Sequence, residues 1–224
     1  MNSLLIWPVA LPLAAALCAL LWPHRAAQAG LVAALATALS ALLLVGRVAR
    51  EGVLVHALGG WEPGLGIALR ADALAAVMVL MTALVILGVA VYASGYLSNS
   101  DSKARFWPLW LLLHCALNAL FLSADLFNIY VTLELLGLSA VALAALGGTR
   151  EAVGAALRYL MLGLLGSMAF LAGVTLIYAE YGRLDLPGLP GVVGPGTTTA
   201  IALALMTGGL LLKSALFPLH LWLP

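Results

Sequence analysis

The chain has 224 residues, 64% of them hydrophobic and only 8% charged, with a formal net charge of +1 at pH 7 and a mean hydropathy of +1.13. A soluble domain carries roughly a quarter of its residues as charges, so this chain lacks the polar surface to cover a fold in water. The near-zero charge gives nothing for nucleic acid to hold. Long continuous apolar runs, rather than alternating ones, select an all-α polytopic membrane protein over a barrel.

A spanning helix needs about 20 apolar residues. Seven segments meet that need: 4–22, 31–48, 71–96, 106–123, 126–146, 153–178 and 199–219. The first, "MNSLLIWPVALPLAAALCALLW", has no basic lead-in and reads as a membrane helix, not a cleaved signal. "WPHRAAQ" joins it to the second. Between the second and third, "REGVLVHALGGWEPGLGIALRAD" holds two short β-like runs around a Gly-Gly-Trp-Glu-Pro-Gly turn, which predicts a surface hairpin over about 50–70. "SNSDSKAR" and "GGTRE" are further short connections, and Thr149 is placed to cap the sixth helix with Glu151 at its positive end. "EYGRLDLPGLPGVVGPG", rich in Pro and Gly, reads as an irregular loop before the seventh. Trp7, Trp22, Trp107 and Trp110 fall near segment ends, as interfacial anchors do.

Cys18 and Cys115 lie in different apolar segments, with no CxxC and no Cys/His cluster, so neither a zinc site nor a disulfide framework is expected. No GxGxxG sits in a βαβ context and no cysteine set could hold iron–sulfur, so no cofactor is expected. The positive-inside count is balanced: Arg25, Lys103, Arg105 and Arg150 on one side, Arg47, Arg50, Arg70 and Arg183 on the other. The chain stops at "FPLHLWLP" with no polar tail, which reads as a fragment or a shortened reading frame.

Some residues do not belong in lipid. Glu134 sits near the middle of the fifth segment, where a charge costs about 2.5–3.5 kcal/mol. It is either a protonated acid bonding a neighbouring helix or an ionisable group on an ion path. Tyr130 lies one turn earlier on its face. Lys213 sits in "TGGLLLKSALFPLHLWLP", after Gly208 and Gly209, which permit close helix approach. Pro218 has no N–H, so a helix running on to 219 would leave the Ser214 carbonyl without its partner. A helix broken beside a buried lysine is a transporter device, in which freed backbone groups line a wet cavity; the plain alternative is a kink with a lysine paired to an acid or phosphate. Arg158 lies two turns from Glu151 and reads as a salt bridge or a snorkelling cation, with an accessory place on a proton path as the alternative. His114, with Asn118 one turn on, reads as an interhelical hydrogen bond or an accessory relay. His220 faces water or the broken turn, with an accessory place on a proton path as the alternative.

"ADLFNIYVTLELLGLSAVAL" resembles the DLFN-[LI]-[FY]-V-x-x-E-x-x-x-x-[SA] signature of the proton-conducting antiporter-like subunits found in respiratory complex I and in Mrp-type Na⁺/H⁺ antiporters. "LKSALFPLHLWLP" resembles their K-[AS]-x-x-F-P-x-H-x-W-L-P motif, and the G-G-W hairpin is similar to that of the Mrp D branch. "AALRYLMLGLLGSMAFLAGVTLIY" is similar to the family's sixth helix, which usually carries Lys at the place of Arg158. The resemblance implies Glu134 and Lys213 as the key proton-path pair, with the N terminus outside. It implies helices 1–3 over 1–105 and the start of the proton-channel repeat over 106–224. The expected setting is the cell inner membrane, among other membrane subunits and the lipid bilayer, with protons and Na⁺ or K⁺ as cargo. Two rival readings are a membrane-arm subunit of NADH-quinone oxidoreductase or a related hydrogenase, and a structural assembly subunit.

Overall fold

The computed structural model describes residues 3–60, 66–97 and 100–220. Among these are seven α-helices in the expected order: α1 Trp7–Leu21, α2 Ala26–Glu51, α3 Ala73–Tyr96, α4 Ser100–Leu122, α5 Leu126–Ala144, α6 Arg150–Tyr181 and α7 Thr197–Lys213. Helices account for 81% of the structure, and five are long and apolar enough to cross a membrane, while α1 and α7 are shorter. Two strands, β1 Leu54–Ala57 and β2 Ala68–Ala71, form the expected hairpin. Its turn residues 61–65 lie outside the described residues.

The helix ends depart from the hydropathy segments for one reason: apolarity marks what fits in oil, not where the backbone stops being helical. Ala, Gln, Lys and Arg are good helix formers. Accordingly α2 begins at Ala26, inside "WPHRAAQ", and α4 begins at Ser100, inside "SNSDSKAR". The early start of α4 places Trp107 two turns in. It is wholly buried, and a Cβ on Gly30 of α2 would come within 2.2 Å of its ring. Trp107 is therefore a core residue and not an interfacial anchor, whereas Trp7 and Trp22 remain about half exposed, at 51% and 53%.

The chain forms two compact units. The first, Met1–His56 with Leu69–Leu122, packs α1 to α4 around alanine-rich faces. Pro12 inside α1 cannot donate to the Pro8 carbonyl; Asn118 of α4 supplies the missing donor, with Nδ2 2.7 Å from that oxygen. The second unit, Ala57–Ala68 with Ser123–Pro224, contains α5, α6 and α7 and a core of Leu126, Phe170, Val174, Ile177, Ala202 and Met206. Side chains cap the first two helices of this unit: Asp125 accepts from the Asn128 amide at 2.6 Å and Thr149 from the Ala152 amide at 3.2 Å.

Within the second unit α6 and α7 approach closely at glycine. A Cβ on Gly209 would lie 2.4 Å from the Gly166 carbonyl, and one on Gly173 would lie 2.6 Å from the Ala202 carbonyl. This is small-residue packing of the membrane kind. Gly208, expected to share that role, faces open space, with nothing within 4 Å.

The loop from α6 to α7 is more ordered than its composition implies. Asp185 pairs with Asp125 in an isolated antiparallel bridge, flanked by the bonds Leu126 N–H to Leu184 O at 3.0 Å and Leu186 N–H to Ala124 O at 2.9 Å. Arg183 clamps Asp185 with two bonds of 2.8 Å, and Gly188 leaves the space this ion pair occupies. The guanidinium holds the Asp185 carboxyl below the usual carboxylate range. Burial, with a smaller contribution from the Asp185 charge, pushes Asp125 above it.

Candidate ion-path site

Glu134 and Lys213 meet. Lys213 Nζ lies 3.1 Å from Glu134 Oε1 and 3.3 Å from the Leu133 carbonyl, so α7 grips α5 through both a side chain and the backbone. The two side chains are only 19% and 14% exposed. A charge pair this withdrawn from water is sustained by its geometry and by hydrogen bonds to the remaining polar atoms. Ser167 of α6 supplies one of these, donating to the same Oε1. Glu134 and Lys213 line a cavity of about 520 Å³ between α5, α6 and α7, whose other walls are mostly leucine, with Tyr159, Thr207 and Ser214 as polar exceptions.

The end of α7 sets where Lys213 sits. The sequence-based segment ran on to 219 with a break attributed to Pro218. The helix instead stops at Lys213, and the stop is made earlier in the chain. Ala215 takes the left-handed conformation, with φ of 53°. The Leu216 amide then reaches back to the Leu211 carbonyl and the Ala215 amide to the Leu212 carbonyl, each at 3.3 Å. This is the Schellman arrangement, with a proline a few residues beyond. Ser214 is the terminal cap residue, exposed, its hydroxyl bonded to the Leu211 carbonyl at 3.2 Å. Pro218 lies past the end, exposed, in a cis peptide bond with Phe217. Lys213 thus occupies the last helical turn, where a cation also complements the negative end of the helix dipole. Residues 221–224, the end of the FPLHLWLP motif, lie outside the described residues.

The accessory residues do not join this cluster. His220 is exposed and stacks on Phe217, with ring centroids 5.5 Å apart. Arg158 is exposed on α6, and among the described residues no ion pair links it to Glu151. His114 belongs to the first unit, fully buried, and among the described residues neither ring nitrogen has a partner; the interhelical bond expected of it is made by Asn118. No group of three or more His, Cys, Asp or Glu able to hold a metal occurs among the described residues.

Sequence reasoning missed Ser167 and the Arg183–Asp185 clamp. The first carried a signal, a hydroxyl in mid-span; serines in apolar helices often bond only their own backbone, so it did not stand out.

Residues 123–224 match the family model described as "NADH:quinone oxidoreductase/Mrp antiporter, TM", and residues 64–107 match "NADH-Ubiquinone oxidoreductase (complex I), chain 5 N-terminus". The chain belongs to this family of antiporter-like membrane subunits. It is 32% identical over 236 residues to the D subunit of the Na(+)/H(+) antiporter of Bacillus subtilis, an alignment spanning 100% of this chain and 47% of that protein. It is 38% identical over 195 residues to the N subunit of the NADH-quinone oxidoreductase of Desulforudis audaxviator, spanning 82% of this chain and 39% of the relative. Among solved structures it is similar to a chain of the membrane-bound sulfane sulfur reductase, an archaeal respiratory membrane complex, with a TM-score of 0.93 at 29% identity, over 99% of this chain and 47% of that one. The chain spans less than half the length of the curated relatives it matches. It is a multi-pass membrane protein whose family members work as subunits of membrane complexes.

Proposed function

We propose that this chain is the N-terminal half of a proton-translocating subunit of a multisubunit cation/proton antiporter, with Glu134 and Lys213 as the switch on its proton path. The observation that carries this reading is one contact: Lys213 Nζ stands 3.1 Å from Glu134 Oε1, beside a largely apolar cavity and in the last turn of α7. Burial favours the neutral amine of a lysine, and a nearby carboxylate favours its ammonium form. A lysine in both environments changes its hold on a proton when the carboxylate is neutralised or moves. In this reading the proton-channel repeat begins at residue 106, the complex lies in the plasma membrane, and Na⁺ or K⁺ is the counter-ion.

The test is cation-driven proton flux in everted vesicles carrying the full-length subunit with its partners, normalised to protein in the membrane. A guanidinium stays charged at every accessible pH, so Lys213→Arg keeps the ion pair and stops the cycle, while Lys213→Ala loses both. Wild-type flux in Lys213→Arg across a pH range refutes the switch.

The second reading, a membrane-arm subunit of an NADH-quinone oxidoreductase, is favoured by the 38% identity to the N subunit of such a complex. It predicts flux that needs electron transfer, whereas an antiporter component responds to an imposed Na⁺ or K⁺ gradient alone. A purely structural role gives no reason for a buried titratable pair.

A further inference from the structure

We propose that Ser167 is a positioning residue for Glu134: it pins Oε1 so that Oε2 is the oxygen through which the carboxyl exchanges its proton. The proposal rests on the reading above, in which Glu134 gains and loses a proton.

Ser167 is 2% exposed in the middle of α6. Its hydroxyl has two acceptors within reach, Glu134 Oε1 and the Gly163 carbonyl at 3.1 Å. A hydroxyl has one proton to give. The Gly163 carbonyl already has the Ser167 amide as its helical donor, and a bond to a carboxylate is the stronger of the two. The proton therefore goes to Glu134. Lys213 Nζ, 3.1 Å away on α7, binds the same Oε1. Two helices thus hold one oxygen of the carboxyl, and among the described residues Oε2 has no protein hydrogen bond. Glu134 lines the 520 Å³ cavity, so Oε2 is the oxygen left for exchange with that space.

The arrangement also lets the carboxyl change state without moving its neighbours. A proton arriving on Oε2 turns Oε1 into a carbonyl oxygen, which still accepts from Ser167. Lys213 keeps its second anchor, the Leu133 carbonyl at 3.3 Å, when its attraction to the neutralised carboxyl falls. No covalent bond other than O–H is made or broken. Tight packing holds Ser167 in place: the adjacent Gly166 is where α6 meets Gly209 of α7.

A hydrogen bond donated to a carboxylate favours its charged form. Loss of that bond makes Glu134 easier to protonate, so the acid side of the pH–flux profile moves to higher pH. Hydrogen bonds to charged groups are stronger than those to neutral ones by a margin that corresponds to about one pH unit. The experiment compares Ser167→Ala, Ser167→Thr and Glu134→Gln in the full-length subunit within its complex. Cation-driven proton flux is measured against pH in everted vesicles. The carboxyl C=O stretch, identified as the infrared difference band missing in Glu134→Gln, is recorded on the same samples. Ser167→Ala is expected to raise the pH of half-maximal flux on the acid side by about one unit and to move the carboxyl band to higher wavenumber. Ser167→Thr, which keeps a hydroxyl, is expected to restore both. If Thr does not fit, the comparison of Ala with wild type still decides. An unmoved profile and band, or a flux reduced by the same factor at every pH with the band in place, overturns the proposal in favour of simple packing. Full flux in Glu134→Gln refutes the proton-switch reading, and the infrared band then decides separately whether Ser167 holds the carboxyl.

Discussion

Two neighbouring glycines on α7 make a sharp test of the packing that brings Lys213 to Glu134. A methyl group on Gly209 would sit 2.4 Å from the Gly166 carbonyl oxygen and 2.9 Å from the Phe170 amide nitrogen. Both obstacles are backbone, so no side chain can turn aside. Ordinary contact begins near 3.4 Å, so α6 and α7 must part by about 1 Å, which forfeits a quarter to a half of the dispersion attraction along the seam. Overpacking of this kind costs about 1–3 kcal/mol, and a backbone-on-backbone clash belongs at the upper end. The same displacement acts one turn further on at Lys213, stretching its 3.1 Å contact with Glu134 to about 4 Å, beyond hydrogen-bond range. Gly208→Ala is the control. Nothing lies within 4 Å of its methyl position, and Ala is favoured over Gly in a helix by about 1 kcal/mol. In the full-length subunit, Gly208→Ala is expected to raise the apparent melting temperature and Gly209→Ala to lower it; the helix-propensity gain is common to both, so the spread is the clash alone, about 3 kcal/mol, with flux lost only in the latter. Equal melting of the two variants at one scan rate would refute this account of the α6–α7 seam.

The Schellman end of α7 predicts that Ala215→Gly stabilises, because a left-handed L-residue costs about 1–2 kcal/mol that glycine does not incur. A melting temperature unchanged or lowered in that variant counts against the strained cap. At the start of α5, the raised Asp125 carboxyl makes a pH prediction. A folded-state value above the unfolded one means that its contribution to stability is complete below about pH 4 and is lost as pH rises through the folded value. Asn caps a helix as well as Asp does, so Asp125→Asn is expected to match wild type near pH 4 and to be the more stable of the two at pH 7. The depressed Asp185 carboxyl has the opposite pH dependence, but both proteins carry it and it cancels in the comparison. Melting curves that run parallel from pH 4 to 7 would rule out a raised Asp125.

Composition alone determined that this chain lives in a bilayer, because 8% charged residues cannot cover a water-exposed fold. The apolar runs determined seven helices and their order, and the alternating runs either side of a Gly-Gly turn determined the hairpin. Glu134 and Lys213 were legible for the same reason: lipid makes an ionisable side chain conspicuous by its cost. Their pairing was expected from the cost of leaving either alone in lipid and from the family resemblance, but the contact itself was not legible locally, since 79 residues separate them and nothing nearby in the chain encodes the distance. It depends on backbone-to-backbone approach at Gly166 and Gly209, and the sequence did not distinguish Gly209, which makes the contact, from Gly208, which faces away. The end of α7 was misplaced because a proline is visible in sequence, whereas a left-handed alanine is not; Ala215 looks like any helix former until the chain is folded. Trp107 passed for an anchor because hydropathy cannot tell where a polar helix start begins. Ser167 was hidden for a related reason. Its hydroxyl could be spent on its own helix, and only the position of α5 beside α6 supplies the carboxylate it binds instead.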